Sequence, residues 1–151
     1  MTPPITLAAL AFLLAATPAG AAGPSTDPIV GQWVQEDDDT HAPDAVIEIR
    51  EAAGLYTGTI VKLYPAPDRS ATPRCTACDG ARKNQPIVGL TVIEGVRRAG
   101  ATFDGGSILD PETGKSYSVR LKPAADGKTL AVTGYVGLPV LGETRVWTRL
   151  P

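Results

Sequence analysis

Ser116-Tyr117-Ser118-Val119-Arg120-Leu121-Lys122 runs through Pro123-Ala124-Ala125-Asp126-Gly127-Lys128 into Thr129-Leu130-Ala131-Val132-Thr133-Gly134-Tyr135-Val136. The first seven residues alternate. Tyr117, Val119 and Leu121 share one face, and Ser118, Arg120 and Lys122 share the other. A period of two over that length is a half-buried strand. Asp126-Gly127 is a strong hairpin signal, because both residues tolerate the positive φ that a tight β-turn requires. The stretch therefore reads as two antiparallel neighbours, and the chain on either side repeats the theme.

Toward the C-terminus, Gly137-Leu138-Pro139-Val140-Leu141-Gly142 links to a last strand, Glu143 to Leu150. Toward the N-terminus, Asp110-Pro111-Glu112-Thr113-Gly114 is a turn, preceded by strands over Ala101 to Leu109 and Ile87 to Val96. Further back, Leu55 to Tyr64 is rich in Thr, Tyr, Ile and Val, as strands are. It pairs across Ala52-Ala53-Gly54 with Ala45 to Glu51, where Ala45, Ile47 and Ile49 oppose Glu48 and Arg50. Glu36 to Asp44 is a polar loop, and Ile29 to Gln35 is the first strand. Nothing shows a 3.6-residue period. The result is eight strands with mostly short links, an all-β fold. Short links favour an eight-stranded antiparallel up-and-down β-barrel, with a small β-sandwich as the alternative. Such a barrel is either filled by side chains or holds one small ligand.

One link stands out. Residues 65–86 form a 22-residue loop with four prolines and both cysteines. Loops that long in a compact domain are usually functional or disordered.

The first residues read differently. Ile5 to Ala16 is apolar apart from Thr6, and Ala19-Gly20-Ala21-Ala22 supplies small residues for a cut after Ala21 or Ala22. This pattern marks residues 1–22 as a signal peptide, although its start carries no Lys or Arg. The run is shorter than the ~20 residues of a membrane span, so no span is expected in the mature chain. Residues 23–28 read as a flexible lead-in, and residues 29–151 as one barrel domain. A periplasmic or secreted location follows. The chain has 14 Lys and Arg against 16 Asp and Glu, a net charge of −2. The basic residues are scattered, with no stripe interleaved with aromatics, so nucleic acid is not an expected partner.

Two short stretches bracket the domain: Gly31-Gln32-Trp33 and Arg145-Val146-Trp147-Thr148-Arg149. With Gly58-Thr59-Ile60-Val61, Cys75-Thr76-Ala77-Cys78, Gln85-Pro86-Ile87-Val88-Gly89-Leu90, Gly105-Gly106-Ser107-Ile108 and Gly114-Lys115-Ser116-Tyr117, they form a distinctive set. The end, Gly134-Tyr135 through Leu141-Gly142 to Trp147-Thr148-Arg149, is its most specific part. The chain resembles the bacterial exported family of domain of unknown function 2147, except that Phe103 stands where a Trp is expected. The resemblance covers most of the mature chain. It implies a lipocalin-like (calycin-type) barrel and export, and supplies no catalytic residues. It also suggests a structural plug of Trp33, Arg145, Trp147 and Arg149, with a Trp across one barrel end and a guanidinium packed on it. Cation–π contact of that kind is worth about 0.5–2 kcal/mol. The alternative for Arg145, Trp147 and Arg149, which share one strand face, is a pocket for an anionic or aromatic ligand. At most one of the two arginines should be buried, because an unpaired buried charge is costly.

Cys75 and Cys78 admit three readings. Export favours a disulfide, which in so small a ring contributes about 2 kcal/mol and shapes the loop more than it holds the fold. A redox pair wants a Cys at a helix N-terminus, whereas Asp79-Gly80 follows here. A zinc site wants four ligands, and His41 is the one other soft candidate. The disulfide is the expected state, with no metal and no cofactor. Asp37-Asp38-Asp39 lacks the spacing of a calcium loop and reads as a solvated turn. Gly114-Lys115-Ser116 has Leu109 where a phosphate-binding loop needs its first Gly, so it too is a turn. No Gly-x-Ser-x-Gly occurs, and His41 has no evident partner, so an enzyme is the least supported function. The leading expectation is a binding module for a small, largely apolar ligand, with Tyr56, Tyr117 and Tyr135 as lining residues. The alternative is a filled barrel acting as a cell-envelope interaction or structural protein. A cavity under about 300 Å³, below the usual pocket range, would favour that alternative.

Overall fold

The computed structural model describes residues 27–151. The expected signal peptide and residues 23–26 of the lead-in lie outside the described residues. Eight strands close into a barrel in chain order: β1 (Gly31–Glu36), β2 (Pro43–Ala52), β3 (Leu55–Leu63), β4 (Thr91–Ala99), β5 (Thr102–Leu109), β6 (Ser116–Pro123), β7 (Thr129–Tyr135) and β8 (Glu143–Arg149). Every neighbouring pair is antiparallel, and β1 pairs with β8 through Trp33↔Arg149 and Val34↔Thr148. The fold is the up-and-down barrel rather than the sandwich. Among the described residues the helical content is two single 3₁₀ turns, Gly80–Arg82 and Pro139–Leu141.

Some strands differ from their expected bounds: β1 begins at Gly31 rather than Ile29, and β4 is shifted along the chain. Ile87 to Leu90 precede β4 as a turn, with Leu90 N–H donating to the Ile87 carbonyl at 3.1 Å. Ile87 and Leu90 are buried, so their apolar character anchors the end of the long loop. The strand instead continues through Arg97 and Arg98, which pair with Asp104 and Phe103.

An up-and-down barrel sends alternate strands to opposite ends, so the place of a residue within its strand decides which end it occupies. The starts of β1, β3, β5 and β7 and the ends of β2, β4, β6 and β8 form one end, which is solid. Trp33, Ile49, Val96, Phe103, Leu121 and Leu130 are at most 1% exposed there. Asp27–Val30 crosses this floor. Ile29 is fully buried, and its carbonyl accepts the Trp33 indole N–H at 2.9 Å. Asp27 and Pro28, expected in a loose lead-in, are thus tied to the floor. The Asp27 carboxylate accepts the Tyr56 hydroxyl at 2.6 Å and pairs with Arg98 at 2.5 Å.

Arg149 locks the floor. Its guanidinium carbon lies 4.1 Å from the Trp33 ring centre. Nε donates to the Gly127 carbonyl at 2.7 Å, Nη1 to the Val30 carbonyl at 2.9 Å, and Nη2 to the Pro28 carbonyl. Gly31 makes room for it, since a Cβ there would lie 2.7 Å from Arg149 Nη1.

Tyr56 packs edge-to-face on Phe103, ring centres 4.9 Å apart. Burial, and then the hydrogen bond to the Asp27 carboxylate, pushes its phenol up to about 12. An ordinary tyrosine ionises near pH 10. Below that pH both folded and unfolded chains hold this proton, and the group's stabilisation is complete. Between about pH 10 and 12 the unfolded chain releases it while the fold retains it, so stability falls as pH rises. An ultraviolet titration should therefore show one phenolate appearing only near pH 12, and Tyr56→Phe should remove that step. Its persistence in the variant would place the late proton on another residue.

Candidate functional site

The other end of the barrel is open. The ends of β1, β3, β5 and β7 and the starts of β2, β4, β6 and β8 surround a cavity of about 1120 Å³. Ile47, Ile60, Val92, Val132 and Trp147 form its inner part, and Ile108 and Tyr117 continue the wall outward. Such a volume is beyond what a filled barrel would leave and comparable to ligand pockets. Trp147 marks where the packed core gives way to the cavity. It is 2% exposed, and its indole N–H has no hydrogen-bond partner.

Four loops frame the mouth. The β1–β2 loop is a tight polar turn. The Asp37 carboxylate accepts the Thr40 backbone N–H and hydroxyl, both at 2.8 Å, and the Asp39 N–H at 3.2 Å. Those bonds, Thr40 foremost, hold the Asp37 carboxyl below the usual carboxylate range, because they stabilise its charged form.

The long loop between β3 and β4 is a wall of the cavity. Arg69 pins its first half, donating to the Tyr64 carbonyl at 2.5 Å and pairing with the Asp44 carboxylate. Its second half folds on itself through an isolated bridge, Arg74↔Pro86. Cys75 N–H donates to the Gln85 carbonyl at 2.8 Å, and Asn84 N–H to the Cys75 carbonyl at 2.9 Å. Cys75 and Cys78 are disulfide-bonded. Both are at most 1% exposed and belong to the core cluster. The Cys75 sulfur lies 3.2 Å from the Pro111 carbonyl oxygen, which seats the bridge against the β5–β6 turn. That turn contains Gly114 and Lys115, leading into β6 at Ser116.

The remaining loop joins β7 to β8. Val136, Leu138, Val140 and Leu141 are 62–85% exposed on it, and Val136 and Leu141 also face the cavity.

Tyr117 lines the cavity, and Tyr135 borders it only at the rim, on the outward face of β7 opposite Ser118. Tyr56, expected beside them, does neither: it sits at the start of β3, hence at the floor, bonded to Asp27. The plug divides in the same way. Trp33 and Arg149 meet at the floor. Trp147 stands two residues further in, and Arg145 is at the mouth, paired with Asp38 at 2.5 Å. At ~3.3 Å per residue, four residues of strand span about 13 Å, so Arg145 and Arg149 cannot share one end. Neither the inward Gly134 nor Ile108 was among the expected lining residues. Gly134 carries a readable signal, since it continues the inward alternation of Leu130 and Val132. Among the described residues, no three His, Cys, Asp or Glu side chains are grouped so as to hold a metal. No helix among them is long and apolar enough to cross a membrane.

A closed antiparallel barrel with one solid end, one open end and a cavity between them defines a lipocalin-like protein. In a structural comparison it matches protein HP1028 of Helicobacter pylori, described as belonging to the lipocalin family. The TM-score is 0.69 at 20% identity, over 82% of this chain and 83% of that one. At that identity the likeness concerns the fold alone. Residues 31–149 match the family model described as an uncharacterized protein conserved in bacteria, DUF2147. The chain belongs to that family. No curated protein matches it.

Proposed function

We propose that this protein is an exported barrel that binds a small, largely apolar ligand in the open half of its interior. The observation that carries this reading is the cavity, whose inner walls are aliphatic and end on Trp147. Ligand sites are concave and mostly apolar, with a few placed polar groups. Tyr117 and the unpartnered Trp147 N–H are the polar groups within reach. The apolar run from Ile5 to Ala16 and the small residues before Gly23 support export to the periplasm or beyond, a compartment in which a disulfide persists.

Gly134 gives the test. Its hydrogen faces the wall, with Ile108 Cγ2 3.7 Å and Tyr117 Cβ 3.8 Å from where a Cβ would stand. Gly134→Phe therefore puts a ring into the cavity without a backbone collision. A neutral naphthylamine fluorophore should brighten on binding the natural chain and bind the variant at least ten-fold more weakly. The thermal midpoint should move by no more than a few degrees. Equal binding by both chains would place the dye outside the barrel, and no binding by the natural chain would refute the reading.

A further inference from the structure

The mouth is strongly unbalanced in charge. Nine carboxylates and three arginines line the cavity and its rim, and His41 and Lys115 lie on the framing loops outside that lining. Three arginines against nine carboxylates leave an excess of six negative charges. Arg69 is engaged by Asp44, and Arg145 by Asp38 and Glu143. Arg74 donates to the Asn84 carbonyl at 2.9 Å. Glu36, Asp37, Asp39, Asp68, Asp110 and Glu112 form no ion pair with any of the three. These carboxylates converge from three loops around one opening with low-dielectric walls, a geometry that concentrates field and raises the local level of counter-ions.

The fourth loop of the same mouth, between β7 and β8, is apolar. Val136, Leu138, Val140 and Leu141 present their side chains to solvent beside the opening. Further in, the aliphatic walls end on Trp147, almost wholly buried and with its N–H unpartnered. The site thus has an apolar body and an anionic rim. An anionic headgroup would be repelled at the rim, and a wholly apolar molecule would leave the excess charge uncompensated.

We propose that the ligand is a cationic amphiphile, an apolar chain or ring system ending in an amine or quaternary ammonium group. The inference rests on the ligand-binding reading above. The body lies in the cavity, the apolar ledge covers the part that protrudes, and the ammonium group stays at the rim among the carboxylates, still partly hydrated.

Three twelve-carbon probes test it below their micelle concentrations, by displacement of the neutral fluorophore: dodecyltrimethylammonium, dodecanol and dodecyl sulfate. The ammonium probe should bind at least ten-fold more tightly than the alcohol, and the sulfate more weakly than either. Raising salt from 50 to 500 mM should erase most of the ammonium preference, because exposed charges are screened. Asp39→Asn combined with Asp68→Asn and Glu112→Gln should erase most of it too. Those three carboxylates accept no hydrogen bond within the rim, so the variant should keep its affinity for dodecanol. Sulfate binding as tight as ammonium, in a protein that binds the fluorophore, would overturn the charge inference and leave the pocket reading standing. Failure of every probe and of the fluorophore would overturn both.

Discussion

Arg149→Met is expected to lower the unfolding free energy by about 3 kcal/mol, the sum of a lost cation–π contact and of carbonyls left without a charged donor. Three carbonyls, those of Pro28, Val30 and Gly127, lose their partner at once. Two belong to the floor segment and one to the β6–β7 turn, so a single side chain joins elements far apart in the chain. Water can reach part of this site and recover part of the loss, which keeps the expected figure below the sum of three full penalties. For a domain of this size the thermal midpoint should fall by about 10 °C. Arg149→Lys should recover less than half, because an ammonium cannot donate in the planar fork that reaches three carbonyls. Arg145→Met provides the contrast. Its side chain is 44% exposed and paired with Asp38 and Glu143 at the rim, so the change should stay within about 1 kcal/mol. Urea unfolding of the three variants checks the ranking. Equal effects at positions 145 and 149 would refute the division between floor and mouth.

Gly106→Ala should be as damaging for a different reason. A Cβ on Gly106 would stand 2.2 Å from the Glu94 carbonyl oxygen and 2.6 Å from the Val96 nitrogen. Both are backbone atoms of the neighbouring strand, so relief requires β4 and β5 to separate. Gly95 (φ +71°) and Gly105 (φ +82°) flank the same point, where the β4–β5 pairing skips from Glu94↔Ser107 to Arg97↔Asp104 without a change of register. Glycine inside a strand often marks a barrel bend or a close backbone approach, and here it marks both. The cost of forcing one methyl group into that contact is expected near 3 kcal/mol, the upper end for overpacking. Gly100→Ala, where a Cβ meets nothing within 4 Å, should cost only the strain of its positive φ, about 1 kcal/mol. If Gly106→Ala melted with the natural chain, the close strand contact would not exist in solution.

The strand set was legible because half-buried strands impose a period of two and their turns demand particular residues. Tyr117 to Lys122 and Asp126-Gly127 show both effects, and neither depends on distant parts of the chain. The same local signals show that Gly95, Gly105 and Gly106 interrupt apolar runs. They do not show that Gly95 and Gly106 meet, since the contact crosses two strands. The apolar run Ile87 to Leu90 illustrates a second limit. Burial alone raises hydrophobicity, so a loop anchored in the core looks like the start of a strand until its backbone is seen to turn.

The sequence by itself determined the barrel class and a neighbouring cysteine pair suited to a disulfide, because these follow from local patterning and short-range geometry. The tertiary structure alone decided which end is closed, and so which residues belong to the site. Strands that alternate in direction carry successive side chains of one face from floor to mouth. Tyr56 and Tyr135 are alike as sequence, yet one lies beneath the core on Asp27 and the other beside the opening. Arg145 and Arg149 are four residues apart on one strand, which is enough length to separate a rim ion pair from the floor. The hollow itself also belonged to the tertiary level. Its volume is set by where eight strands place their inward side chains relative to one another, a sum over long-range positions that no local pattern encodes.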